Sequence, residues 1–172
     1  TGATGPITAT ITACATGSTS MIIGSMFLRQ GLADMVICGA VDCPLVEPIV
    51  AGFATMNGAF KEKKDRPEDP RSASRPFSAD RRGFVVSEGA ASIIITTREF
   101  ADAHGLDYRL AIAGYAMTSD AYHFVAPNPD TVTRCMAESI AAAGIKPEDI
   151  DAVNAHGTST KIGDKVEFDA LT

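Results

Sequence analysis

The feature that most constrains the fold lies in the first forty residues, where three apolar stretches of different character follow one another. Residues 7–12 (ITATIT) form a β-branched run. Residues 16–28 then become apolar on nearly every face, with Met21, Ile22, Ile23, Met26, Phe27 and Leu28, and are closed by Arg29, Gln30 and Gly31. Residues 34–41 (DMVICGAV) are a continuous apolar run, the mark of a strand buried on both faces of a parallel sheet. Strand, buried helix and strand within about 30 residues predict a βαβ unit. Its first junction carries Cys14 between small neighbours, Ala13, Ala15 and Gly17.

A cysteine at such a junction meets unpaired amide protons and the positive end of a helix dipole, which favour thiolate over thiol. Its small neighbours let a carbonyl approach the sulfur and the backbone amides together, as an oxyanion site requires. The competing reading is inert packing, the ordinary fate of a free cysteine. The other cysteines, at 38, 43 and 135, show no CxxC spacing, and with three scattered histidines they argue against a zinc site and a disulfide framework. A reducing cytoplasm is the expected compartment.

Further along, residues 49–54 suit a short helix, and residues 57–82 form a long polar stretch with Asn-Gly, three prolines and a charge run. Strands are expected over residues 90–97, 108–117 and 150–155. Helices are expected over residues 98–104, from a cap at Asp130 to a stop at Gly144, and over residues 164–171. The strand at 150–155 hands His156 to a small-residue turn, as the first strand hands over Cys14. These are the cysteine and histidine placed at strand ends beside glycine turns, and together they make a minimal kit for thioester chemistry. Thr158 and Thr160 suit either hydrogen bonding to a polar substrate arm or capping of the next turn. His104 reads as a surface residue and His123 as structural.

The net charge of −6 argues against nucleic acid as a partner, and no run approaches the ~20 apolar residues of a membrane span. Eight basic residues against five acidic ones nevertheless fall between Lys61 and Arg82. That patch either steers an acidic partner or forms a solvated loop with internal salt bridges. The chain starts at Thr1 without a basic segment and apolar core, so no signal peptide is expected and the sequence reads as an internal piece of a longer one.

Four collinear motifs carry a family resemblance: TACATG (residues 12–17), SRPFSADRRGF (74–84) with SEG (87–89), SDAYH (119–123), and NAHGTST (154–160) with Gly163 and Asp164. In this the chain resembles the β-ketoacyl-acyl carrier protein synthases, the elongating type more than the priming type. The resemblance implies a thiolase-like α/β fold in layered αβαβα form. Residues 1–107 would belong to the first half and residues 108–172 to the start of the second.

It further implies that Cys14 is the acyl-accepting nucleophile and His156 the first of two catalytic histidines. Thr158 and Thr160 would bind the phosphopantetheine arm, and Lys63, Lys64 and Arg66 would dock an acidic acyl carrier protein. The implied enzyme is a homodimer without a bound cofactor, its substrate carried on the carrier's phosphopantetheine. It joins a cysteine-bound acyl group to malonyl carrier protein by decarboxylative Claisen condensation, in fatty acid or polyketide synthesis. Lys161 replaces the family's usual proline, and residues 61–64 resemble a local loop expansion. The chain ends before the second histidine, its supporting lysine and the glycine-rich oxyanion turn, so it is expected not to condense by itself. A thiolase using coenzyme A and a non-catalytic partner of the chain-length-factor kind are the alternatives, the latter disfavoured by Cys14.

Overall fold

The computed structural model describes residues 2–56, 58–62, 68–123 and 125–172, which form a mixed α/β structure of two compact units. One comprises Thr1–Asp42 with Glu88–Ile112, and the other Cys43–Ser87 with Ala113–Thr172. Among the described residues no helix is long and apolar enough to cross a membrane.

In the first unit, α1 (Thr16–Arg29) lies on a two-stranded sheet of β1 (Met35–Asp42) and β2 (Gly89–Thr96). The strands are antiparallel, with Met35 opposite Thr96 and Asp42 opposite Gly89. This corrects the expected βαβ unit and doubly buried parallel strand. The apolar run of β1 has one covered face: Cys38 is buried, whereas Ile37 and Val41 are 63% and 70% exposed. α1 approaches the sheet closely because its inward residues are small. A Cβ on Gly24 would stand 2.5 Å from Cys38 Sγ and 3.1 Å from Ile95 Cδ1. Ser20, one turn earlier, accepts a 2.9 Å hydrogen bond from the Gly39 amide, satisfying that donor from the helix side. The unit's last helix is α3 (Arg98–Ala103), capped by the Thr97 hydroxyl on the Phe100 amide.

Residues 7–12, expected as a strand, have no regular secondary structure, and Ile7 and Ile11 are 97% and 94% exposed. The same correction applies to residues 108–117 and 150–155. Their side chains suit a sheet surface, but no described neighbour supplies the ladder of backbone bonds that makes a strand.

The second unit contains α2 (Glu47–Thr55), α4 (Pro129–Ala143) and α5 (Lys161–Leu171), with α4 packed against α5. α4 is capped by Asn128, whose side chain accepts from the Asp130 amide, and not by Asp130. Pro129 occupies the first helical position, which needs no amide donor, so the residue before it becomes the cap. Asp120 braces this end, accepting from the Asn128 amide at 2.8 Å and from the Thr131 hydroxyl. Gly144 closes the helix at φ +71°, the left-handed conformation that suits glycine.

Candidate functional site

Cys14 sits in a single 3-10 turn, Ala13–Ala15, that runs directly into α1. It is exposed, as is Cys43, whereas Cys38 is buried. Burial pushes the Cys38 thiol pKa up, and a hydrogen bond with Ser20 only partly offsets this, so Cys38 is a packing residue. Ala13 adopts φ +48°, a conformation that costs a non-glycine residue roughly 1–3 kcal/mol. Threonine hydroxyls brace the turn. The Thr16 hydroxyl accepts from the Thr12 amide (3.0 Å) and donates to the Ala13 carbonyl (2.8 Å), and the Thr12 and Thr19 hydroxyls bond to each other (2.9 Å). Cys14 opens onto a groove of about 940 Å³, whose lining includes Ile7, Ile11, Gly17, Ile23 and Val36.

His156 lies in the other unit, exposed, in the irregular segment before α5. Its backbone amide donates to Glu167 Oε1 at 2.6 Å, and that of Gly157 to Oε2 at 2.8 Å. One carboxylate thus grips two successive amides, a charge-assisted arrangement that fixes the peptide carrying the imidazole. Gly157 has φ +48°, and a Cβ there would stand 3.4 Å from Pro76 and Phe77 side chains.

The Thr158 and Thr160 hydroxyls stand 3.0 Å apart, and Thr160 caps α5 by accepting from the Gly163 amide at 3.1 Å. The capping reading of Thr160 is therefore realised. A hydroxyl offers one hydrogen and two lone pairs, so the cap uses a lone pair of Thr160 and the bond between the two hydroxyls uses one of their two hydrogens, leaving the other for another acceptor.

Beneath this loop lies a buried ion pair. Asp164 is fully buried, and its Oδ2 accepts from the Phe77 amide (2.7 Å) and pairs with Arg81 Nε (3.1 Å). Arg81 also donates to the carbonyls of Thr160 (3.0 Å), Lys161 (2.8 Å) and Ser78 (3.0 Å). Ser159, buried at φ +68°, accepts from the Arg75 amide through its hydroxyl and from the Gly83 amide through its carbonyl. Residues 75–83 therefore form the floor on which the histidine loop is built.

Glu68 lies between Arg75 (3.2 Å) and Arg82 (2.6 Å), and Arg82 stacks over the Phe60 ring at 4.8 Å. Three cations of the basic run are thus turned inward into pairs. Lys63, Lys64 and Arg66 fall outside the described residues. His104 stacks on Phe100, and His123 Nδ1 accepts from the amides of Val125 and Ala126. Sequence reasoning missed the roles of Glu167 and Arg81. Glu167 stands one helical turn beyond Asp164, the signal that could have found it.

The arrangement is an exposed thiol on a strained turn ahead of a packed helix, and a histidine whose peptide is held by a carboxylate. Both elements belong to an α/β structure of thiolase-like fold. Two family models match: Beta-ketoacyl synthase, N-terminal domain, over residues 1–101, and Beta-ketoacyl synthase, C-terminal domain, over residues 110–172. The 3-oxoacyl-[acyl-carrier-protein] synthase 2 of Staphylococcus aureus is 40% identical over 99% of this chain and 41% of its own length. Its counterpart from Synechocystis sp. is 41% identical over 99% of this chain and 40% of its own.

Among solved structures, a type II PKS acyl-carrier protein in complex with its ketosynthase bound to the hexaketide (AntDE:AntF) matches with a TM-score of 0.85 and 31% identity, covering 91% of this chain and 38% of that one. A β-ketoacyl synthase from Burkholderia phymatum matches with a TM-score of 0.82 and 34% identity, covering 91% and 37%. The chain belongs to the β-ketoacyl synthase family. It spans about two fifths of the length of the curated relatives it matches.

Proposed function

We propose that this chain is the part of a ketosynthase that supplies the acyl-accepting cysteine and the first catalytic histidine, and that the complete enzyme carries out decarboxylative Claisen condensation in fatty acid or polyketide synthesis. Cys14 Sγ attacks the acyl thioester of an acyl carrier protein. The new carbon–sulfur bond forms as the carrier's thioester bond breaks and its thiolate leaves. Malonyl carrier protein then loses carbon dioxide, and the electron pair left behind is stabilised by polarising the thioester carbonyl. His156 is assigned that hydrogen bond. The resulting carbanion attacks the acyl carbon, a carbon–carbon bond forms, and Cys14 departs as thiolate.

Thr158 and Thr160 are assigned to the phosphopantetheine arm, through the one hydroxyl hydrogen of the pair that their mutual bond leaves over. Lys63, Lys64 and Arg66 are assigned to the acidic carrier, by charge complementarity. Residues 1–107 and 108–172 are read as parts of successive thiolase-like halves, within a cytoplasmic enzyme that works as a homodimer.

The placement of Cys14, exposed on a left-handed turn at the head of a helix packed on a sheet, carries this reading. The test is to incubate the chain with acyl carrier protein thioester and malonyl carrier protein and to map products by mass spectrometry. Acyl transfer confined to Cys14 and abolished by Cys14→Ala is expected, without β-ketoacyl product from the 172 residues alone. Acyl groups on other residues would overturn the nucleophile assignment, and condensation at a full enzyme rate would overturn the assignment of activity to a longer chain.

A further inference from the structure

We propose that Thr16, backed by the Thr12–Thr19 hydroxyl pair, is a positioning residue that holds the backbone amide of Cys14 in its reactive direction. The proposal rests on the reading of Cys14 as acyl acceptor and adds the device that sets its geometry.

The turn before α1 is held in a sparsely populated conformation, with alanine at φ +48° where glycine or asparagine would be at ease. Such a residue persists only where its surroundings over-determine it. Thr16 supplies that constraint on both sides of the strained residue: its hydroxyl receives the Thr12 amide and donates to the Ala13 carbonyl. The two bonds use complementary capacities of one hydroxyl, so serine can reproduce them and alanine or valine cannot.

The Ala13 carbonyl shares its planar peptide unit with the Cys14 amide, and the two point in opposite directions. Pinning the oxygen therefore aims the N–H. The turn's own bonds run from Ala15 N to Thr12 O and from Thr16 N to Ala13 O, which leaves the Cys14 amide outside them. That amide is placed to meet the oxygen of a carbonyl under attack by Sγ.

The bonding also shows that Thr16 is not a helix cap in the usual sense. A cap hydroxyl accepts from the amide of the second or third residue of the helix. Here the capping position is Ala15, and α1 has no side-chain cap bond. The Thr16 hydroxyl faces backwards, onto the turn. One turn further along the same helix face, buried Thr19 bonds the Thr12 hydroxyl, tying the far side of the turn into the packed interior.

Two reactions of the same sulfur separate positioning from general disturbance. Transfer of a hexanoyl group from its N-acetylcysteamine thioester passes through an oxyanion; alkylation by iodoacetamide does not. In the full chain, with exposed Cys43 as internal reference, Thr16→Ala should slow acyl transfer to Cys14 by about tenfold or more and change its alkylation by less than about twofold. Thr16→Ser should restore acyl transfer. An equal loss in both reactions, or failure of serine to rescue, overturns the proposal.

The Ala13 backbone coupling measured by NMR on the labelled chain gives a second, independent reading. It should report a left-handed residue in the unsubstituted chain and in Thr16→Ser, but not in Thr16→Ala. Persistence of the left-handed conformation in Thr16→Ala overturns the clamp. If the unsubstituted chain takes no acyl group, the acceptor reading of Cys14 fails, and the NMR result still decides the clamp.

Discussion

Replacing Asp164 with alanine is expected to cost about 3 kcal/mol of stability, and the structure shows how that figure arises. Breaking a buried ion pair by deleting one partner typically costs about 3–5 kcal/mol, because the other charge is left without compensation. The side chains here are 0% exposed for Asp164 and 15% for Arg81, so the pair qualifies. Two features move the expectation to the lower end. Arg81 keeps three carbonyl acceptors, at Ser78, Thr160 and Lys161, so its charge is not wholly stranded. Asp164 Oδ1 is itself buried without a hydrogen-bond partner among the described residues, and alanine removes that cost.

Against these, the Phe77 amide loses its charged acceptor, a part-buried hydrogen bond worth about 1.5–3 kcal/mol. Asp164→Asn should cost less, about 1–2 kcal/mol, because its side-chain oxygen can still accept from the Phe77 amide, although the charge opposite Arg81 is lost. Urea titration followed by far-UV circular dichroism reads the difference. With a slope near 2 kcal/mol/M, the alanine midpoint should fall by about 1.5 M and the asparagine midpoint by about half that. Hydrogen exchange at the Phe77 amide gives a local check, faster in alanine than in asparagine. A loss below about 1 kcal/mol for alanine, or equal losses for the two variants, would refute the argument.

Gly114→Ala should cost about 3 kcal/mol in the same titration, because the new Cβ would stand 2.6 Å from the Ser139 carbonyl and against the Ala143 amide, backbone that cannot step aside; a loss under 1 kcal/mol would show that α4 shifts freely. Acid should act through Glu68. Partial burial pushes its carboxyl up, but hydrogen bonds and charges from Arg75 and Arg82 outweigh this and hold it below its ordinary value of 4.5. A depressed folded value means the contribution is complete above about pH 4.5 and is lost as pH falls through the folded value. Stability of Glu68→Gln, followed from pH 6 downwards, should therefore fall less steeply than that of the unsubstituted chain. Parallel curves would refute the assignment.

The helices were readable because their signals are local. Residues 16–28 and α5 declare themselves by apolar pattern and caps, and Gly144 stops α4 where a left-handed residue is required. The cap of α4 was misplaced by two residues because Asn128 and Asp130 are chemically similar and only the proline between them decides. The strands fared worse for a physical reason. Ile7, Ile11 and Leu110 have the side chains of a sheet surface, but a strand exists through the backbone it pairs with, and that lies outside the local pattern. Cys14 and His156 stood out in the sequence as candidates for thioester chemistry. The Glu167 grip did not, since it joins residues ten and eleven apart whose meeting depends on the loop's three-dimensional course.

The motif at residues 74–84 shows why collinear signatures identified this chain better than any single reactive residue. By sequence it falls in the span matched by the N-terminal family model, yet its hydrogen bonds go to the histidine loop in the span matched by the C-terminal one. Ser159 and Asp164 would lose their side-chain partners without residues 75–83, and Arg81 would keep only the Ser78 carbonyl without Thr160 and Lys161. Such mutual dependence means that neither segment can change its polar residues alone without stranding a buried group. The candidate side chains, Cys14 and His156, are by contrast exposed, so packing does not dictate their identity. A sequence thus records the candidate chemistry twice, sparsely in Cys14 and His156 and redundantly in the polar scaffold under the histidine loop. The redundant record is the more specific of the two.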